Sequence, residues 1–81
     1  MSIRVYVGSL SRSTTEDELR EAFTTYGEVV RATIITDRDA RSKGFGFVEM
    51  STEEGALAAI GGLNGTELGG NTIRVEKARA R

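Results

Sequence analysis

The sequence contains no cysteine, histidine, proline or tryptophan. Without cysteine, the chain can have neither a disulfide framework nor a thiolate metal site. Without histidine, it lacks both the commonest metal ligand and the commonest general base. Asp37 and Asp39 lie two residues apart, but no third ligand accompanies them in a metal-binding pattern. We therefore expect no metal, no cofactor and no enzyme activity.

Long apolar runs are also absent. None approaches the roughly 20 residues of a membrane span, and nothing at the start of the chain reads as a signal peptide. A chain of 81 residues makes one small domain with a modest core. We expect a single domain over residues 1–81, with its core at about 3–77 and a short basic tail at 78–81. The expected protein is a soluble monomer without membrane contact, cytoplasmic, or nuclear if eukaryotic.

Positive and negative charges nearly balance over the whole chain, which has a formal net charge of −1. The acidic residues are nevertheless concentrated. Residues 14–26 and 51–61 together hold 6 of the 12 acidic residues and 1 of the 11 basic residues. If both segments are helices on one side of a sheet, the other side is net positive, but only weakly. We expect few phosphate contacts and a shallow salt dependence of any nucleic-acid binding.

Residues 43–50 (KGFGFVEM) show the alternation of a β-strand. Val48 and Met50 share one face, which suits a hydrophobic core. Phe45 and Phe47 share the other face with Lys43, so that face is expected to meet solvent. Two exposed aromatic rings beside a lysine are typical of a platform on which unpaired bases stack. The glycines at 44 and 46 suit close packing against helices.

The same octapeptide resembles the octamer of the RNA recognition motif (RRM), whose pattern is K/R-G-F/Y-G/A-F-V-x-F/Y. Seven of its eight positions fit, and the eighth is Met50, where the family usually has an aromatic residue. Met50 has core-facing parity, so the departure changes packing and leaves the platform intact. Residues 5–10 (VYVGSL) resemble the second RRM motif, a hexamer with its base-stacking aromatic at Tyr6. Ser9 stands where asparagine is common in the family.

Two helices and three further strands complete the pattern. Strands are predicted at 3–8, 29–35 and 72–76 from β-rich alternation. Thr15 and Glu18 form a capping box before a helical periodicity that stops at Gly27. Residues 51–54 form a second capping box, and the glycine pair at 61–62 ends the second helix. The apolar positions predicted for that helix are Ala56, Leu57, Ala59 and Ile60.

The order β-α-β-β-α-β predicts an α+β, ferredoxin-like sandwich, in which a four-stranded antiparallel sheet carries two helices on one face. The first and third strands are then central neighbours, which places Tyr6 beside Phe45 and Phe47. The resemblance covers nearly the whole chain. The chain looks like the small single-RRM proteins of bacteria and the glycine-rich RNA-binding proteins.

The resemblance implies that single-stranded RNA, or single-stranded DNA, binds across the sheet. Tyr6 and Phe47 would each stack under a base, and Phe45 would contact sugars or lie between two nucleotides. Phosphate and flanking contacts are implied for Lys43, Arg41, Arg4, Arg74, Lys77 and Arg79. The polar segment 36–43 has a second interpretation, as a solvated hairpin loop without a binding role.

Two other interpretations stay open. The acidic helix face suits a protein partner, either as a second function or in place of nucleic-acid binding. The absence of proline, cysteine, histidine and tryptophan also permits an engineered or consensus-like scaffold.

Overall fold

The computed structural model describes residues 2–39 and 42–78, without the side chains at 42 and 43. In chain order the elements are β1 (Ile3–Gly8), α1 (Glu16–Thr24), β2 (Val29–Thr36), β3 (Ser42–Met50), α2 (Glu53–Leu63), β4 (Glu67–Leu68), β5 (Asn71–Thr72) and β6 (Arg74–Lys77). The predicted β-α-β-β-α-β order is therefore confirmed. The short hairpin of β4 and β5 before the last strand is an addition.

The main sheet has the strand order β2-β3-β1-β6, and each neighbouring pair is antiparallel. β1 and β3 are the central strands, as predicted. Their register places Tyr6 opposite Phe47 and Gly8 opposite Phe45. Both helices pack on one face of this sheet, and the opposite face is called the outer face below.

The core lies between the helices and the sheet. It is one cluster of buried apolar side chains. Each large side chain that is fully buried stabilises the folded state by about 1.5–3 kcal/mol. The cluster alternates along the strands, because every second strand residue faces the helices. Its described members are Val5, Val7, Leu10, Leu19, Phe23, Ala32, Ile34, Val48, Met50, Ala56, Ala59, Ile73 and Val75.

The start of α1 is the predicted capping box. The Glu18 N–H donates to Thr15 Oγ1 at 3.1 Å, and the Thr15 N–H donates to Glu18 Oε1 at 2.8 Å. The helix ends at Thr24, before Gly27, and Gly27 does not take the left-handed φ of a helix-terminating glycine. A Cβ on Gly27 would lie 3.2 Å from the Gly55 Cα. Gly27 therefore permits a close approach to the first turn of α2.

The start of α2 differs from the prediction. The cap is Thr52, whose Oγ1 accepts the Gly55 N–H at 3.0 Å. The third helical position is therefore Gly55, which has no side chain to reach back. The second capping box predicted over residues 51–54 is therefore not formed. The start of α2 has the hydrogen bond from the backbone to the cap side chain, but not the reciprocal bond from a side chain to the backbone of the cap.

The end of α2 also differs. The helix runs through Gly61 and Gly62 to Leu63, so the prediction that the glycine pair ends it was wrong. The Tyr26 ring lies against Gly62, where a Cβ would come within 2.6 Å of ring carbons. Tertiary packing thus holds this glycine in the helix. Leu57, predicted with the apolar positions, is 54% exposed on the far side of the helix.

The glycines of β3 contact strand and loop backbone, whereas the sequence predicted packing against helices. Gly44 has φ +88°, a left-handed conformation that favours glycine. Its carbonyl accepts the Leu10 N–H at 2.8 Å, which joins β3 to the loop after β1. A Cβ on Gly46 would collide with the Thr33 carbonyl of β2. Both glycines therefore shape the strand pairing at this end of the sheet.

The last strand begins later and ends later than predicted. Thr72 pairs with Glu67 in the small hairpin, and the Ile73 N–H donates to the Thr66 carbonyl at 2.8 Å. Ile73 and Val75 point into the core, as predicted. In the described ranges, neither helix is long and apolar enough to cross a membrane.

Candidate nucleic-acid interface

The outer face of the sheet presents its side chains in three rows across the strands. The strand register defines each row, because paired residues point to the same side of a sheet. The middle row contains Thr33, Phe47, Tyr6 and Glu76, and the rows on either side contain Arg31, Glu49 and Arg4, and Phe45, Gly8 and Arg74. The aromatic rings therefore lie together on the two central strands, and charged side chains surround them.

The three aromatic side chains form one triangle. The Tyr6 ring centroid lies 5.9 Å from that of Phe47 and 6.1 Å from that of Phe45. The Phe45 and Phe47 centroids are 6.3 Å apart, with the rings edge to face. All three side chains are partly exposed with respect to the described residues. The predicted meeting of Tyr6, Phe45 and Phe47 is therefore present in the structure.

Gly8 determines where the Tyr6 ring lies. The ring leans along β1 over Gly8, and a Cβ at that position would come within 2.9 Å of two ring carbons. Because successive same-face residues of a strand lie side by side, only a residue without a side chain leaves room for this orientation. The lack of a side chain at Gly8 therefore makes room for the Tyr6 ring in the aromatic surface.

Charged groups border the rings in the row of Arg4. The Arg4 Cζ lies 4.3 Å from the Phe47 ring centroid, within the range of a cation–π contact. Arg4 is paired across the strands with Glu49, whose Oε1 accepts the Ser2 hydroxyl at 2.9 Å. Arg74 lies on β6 in the opposite border row and is exposed. The predicted residues Arg4 and Arg74 therefore both flank the aromatic triangle.

Lys77 is not on this face, contrary to the sequence prediction. It pairs with Val5, a core residue, and therefore has the parity of the helix side. Its Nζ forms an ion pair with Glu53 Oε2 of α2 at 3.0 Å. Three other predicted residues cannot be placed: Arg41 and Arg79 lie outside the described residues, and for Lys43 only the backbone is described.

Glu76 is the residue of this face that sequence reasoning missed. It pairs directly with Tyr6 across β1 and β6 and is exposed. The sequence signal was the alternation of residues 72–76, which gives Glu76 the same parity as Arg74. What the sequence could not supply was the pairing of β6 with β1.

The chemistry that this face offers is recognition. Aromatic rings can stack on bases, guanidinium groups can donate to phosphates, and carboxylates can accept from base N–H groups. In the part of the chain that the structure describes, no group of three acidic side chains could hold a metal ion.

The geometry and the motifs agree with comparisons to known proteins. The profile of the RNA recognition motif family matches residues 5–74. The chain belongs to the RNA recognition motif family. Its RRM is 49% identical to the glycine-rich RNA-binding protein 4, mitochondrial, of Arabidopsis thaliana, over all of this chain and 60% of that protein. It is 47% identical to the putative RNA-binding protein RbpE of a Nostoc species, over 95% of this chain and 79% of that protein.

A solved structure gives the same result for the RRM fold. The crystal structure of RNA binding protein PG1 superposes with a TM-score of 0.93 at 42% sequence identity, and covers 99% of this chain and 98% of that chain. The chain spans about half the length of the curated glycine-rich relatives that it matches.

Proposed function

We propose that the chain binds single-stranded RNA across the outer face of its sheet. The observation that carries the proposal is the triangle of Tyr6, Phe45 and Phe47, with all three centroid distances between 5.9 and 6.3 Å. In this proposal Tyr6 and Phe47 each stack under a base, and Phe45 contacts sugars or lies between two nucleotides. Stacking of this kind contributes roughly 1–3 kcal/mol per base. Two or three such contacts together with a few phosphate contacts suggest an affinity on the order of micromolar.

The phosphate contacts are proposed for the basic residues around the triangle. Arg4 and Arg74 flank it, and their positions on the outer face support the assignment. Lys43, Arg41 and Arg79 are retained in this proposal on the resemblance alone. Lys77 is left out, because its ammonium group pairs with Glu53 on the helix side.

We also infer that the chain is a monomeric, non-enzymatic domain with its core at about 3–77 and a short basic tail. We infer that this domain is located in the cytoplasm or, in a eukaryote, in the nucleus. RNA is proposed ahead of single-stranded DNA because the relatives are named as RNA-binding proteins. Some relatives carry mitochondrial or chloroplastic names, so cell fractionation is the test of location.

A fluorescence-anisotropy titration with short random-sequence RNA tests the binding proposal. We expect Tyr6→Ala and Phe47→Ala each to weaken binding by roughly tenfold, since each removes one stacking ring. Leu57→Ala is the matched control, because it removes an exposed apolar side chain from α2. Circular dichroism of every variant verifies the fold.

Two outcomes would contradict the proposal. The wild type fails to bind RNA at low salt, or it binds and both ring substitutions leave the affinity unchanged. In the first case a protein partner on the acidic helix face becomes the leading hypothesis. In the second case RNA binds at a surface other than the aromatic triangle.

A further inference from the structure

Glu76 places a carboxylate beside the proposed base-stacking ring of Tyr6. The two residues are direct partners in the pairing of β1 with β6. Side chains of such partners have Cβ atoms about 4.5–5.5 Å apart and point to the same side of the sheet. Glu76 is exposed, whereas Val75 before it is 2% exposed and faces the core. A base stacked on Tyr6 would therefore have the Glu76 side chain as its direct neighbour on the outer face.

Among the residues that the structure describes, the Glu76 carboxylate also has no hydrogen-bond or ion-pair partner. Glu49, the other carboxylate of the outer face, differs in this respect. It accepts a hydrogen bond from Ser2 and lies between Arg4 and Arg31 in its row. Glu76 alone of these two is available to a ligand.

An unpaired carboxylate on a nucleic-acid-binding face has an electrostatic cost. It repels the phosphate backbone unless it accepts hydrogen bonds from the ligand, and like charges across an interface disfavour a partner. A carboxylate only accepts hydrogen bonds, so it selects for donors on the base. The two oxygens best match two adjacent N–H groups, because a bidentate pair is stronger and more specific than a single bond.

The four bases differ in what their Watson–Crick edges offer a carboxylate. Guanine presents two adjacent donors, the N1–H and the 2-amino group. Cytosine and adenine each present one amino group next to a ring nitrogen that accepts. Uracil presents one N3–H between two carbonyl oxygens, which repel a carboxylate. Guanine is therefore the best match, and uracil is the worst.

We propose that Glu76 is a specificity-determining residue that selects guanine at the base position stacked on Tyr6. The inference rests on the proposed RNA binding. It extends that binding from a sequence-tolerant stacking surface to a position with a preferred base.

The test uses RNA octamers of seven uridines and one central varied nucleotide: guanosine, inosine, adenosine, cytidine or uridine. Inosine differs from guanosine only by the missing 2-amino group, so it removes one of the two proposed hydrogen bonds. Anisotropy titrations compare the wild type with Glu76→Gln. Glu49→Gln is the matched control, since it neutralises a carboxylate on the same face that already has a partner.

We expect the wild type to bind the guanosine octamer roughly tenfold more tightly than the all-uridine octamer, with the inosine octamer in between. Glu76→Gln is expected to abolish most of the guanosine-to-inosine difference and to strengthen binding to all-uridine RNA. Glu49→Gln is expected to keep the wild-type preference.

Two results would overturn the inference, and they are distinguishable. If the wild type binds every octamer equally, or Glu76→Gln keeps the full guanosine preference, Glu76 does not select the base, while the RNA-binding proposal stands. If no octamer binds at low salt, the RNA-binding proposal fails as well.

Discussion

At the scale of single residues, the position of the Tyr6 ring depends on a side chain that is absent. The ring lies over Gly8, and a Cβ there would come within 2.9 Å of ring carbons. We expect Gly8→Ala to displace the ring and to weaken RNA binding by roughly tenfold, the equivalent of one lost stacking contact. The fold should survive, because the clash is with a side chain that can rotate. Anisotropy titration and thermal unfolding measure the two effects.

Gly61→Ala is the control for this substitution. Apart from its chain neighbours and the backbone of the helix itself, nothing lies within 4 Å of a Cβ at that position, and the residue is inside α2. It should leave RNA binding unchanged and increase stability by about 0.5–1 kcal/mol. If Gly8→Ala binds RNA as tightly as the wild type, the packing of Tyr6 on Gly8 does not position the ring.

The aromatic residues and Arg74 could be predicted from the sequence, whereas the positions of Glu76 and Lys77 at the end of β6 could not. Period-two alternation gives the parity of Tyr6, Phe45 and Phe47 directly, and the strand order then brings them together. Lys77 was implied as a phosphate or flanking contact, just beyond a strand predicted to end at residue 76. In the structure β6 extends to Lys77. Lys77 directly follows Glu76, so its side chain points to the opposite face of the sheet.

At the scale of elements, both edge strands of the sheet have an outward N–H group that a side chain satisfies. The Ile34 N–H of β2 donates to Glu16 Oε2 of α1 at 3.0 Å. The Val75 N–H of β6 donates to Asn64 Oδ1, at the end of α2, at 2.9 Å. Unpaired N–H groups of an edge strand are templates for pairing with another chain. The two contacts therefore support the proposed monomeric state.

The Asn64 contact predicts a stability effect. We expect Asn64→Ala to lower the free energy of unfolding by about 1–3 kcal/mol, because it leaves the partly buried Val75 N–H without its acceptor. Asn64→Asp keeps an acceptor oxygen and should recover most of that loss. Urea denaturation of the three proteins measures the differences. Equal stability of the alanine and aspartate variants would show that the hydrogen bond is not the cause.

The helix boundaries show where local sequence rules were overridden. The capping box of α1 is a local signal, and it was predicted correctly at Thr15 and Glu18. A glycine inside a helix lowers its stability by about 1 kcal/mol relative to alanine. The glycine pair at 61–62 was therefore predicted to end the helix. The Tyr26 ring, distant in sequence, packs on Gly62 and keeps the helix intact. Such tertiary contacts are absent from any local pattern.

At the scale of the whole molecule, the two sides of the sheet carry different charge. The helix side holds the acidic starts of α1 and α2, and Lys77 is engaged there by Glu53. The outer face holds Arg4, Arg31 and Arg74 against two carboxylates. A near-neutral chain can thus present a weakly positive outer face. In the proposed RNA binding, stacking rather than charge therefore supplies most of the affinity.

This balance predicts a shallow salt dependence. For single-stranded nucleic acid, each phosphate contact contributes about −0.7 to the slope of log affinity against log salt concentration. Three contacts therefore give a slope of about −2. Affinity should then fall by roughly 10- to 20-fold between about 50 and 200 mM salt. Arg74→Gln should reduce the slope by about 0.7, while Arg20→Gln on α1 should leave it unchanged. Anisotropy titrations at several salt concentrations measure it. A slope steeper than about −4 would contradict the stacking account, because only a larger set of basic residues could produce it.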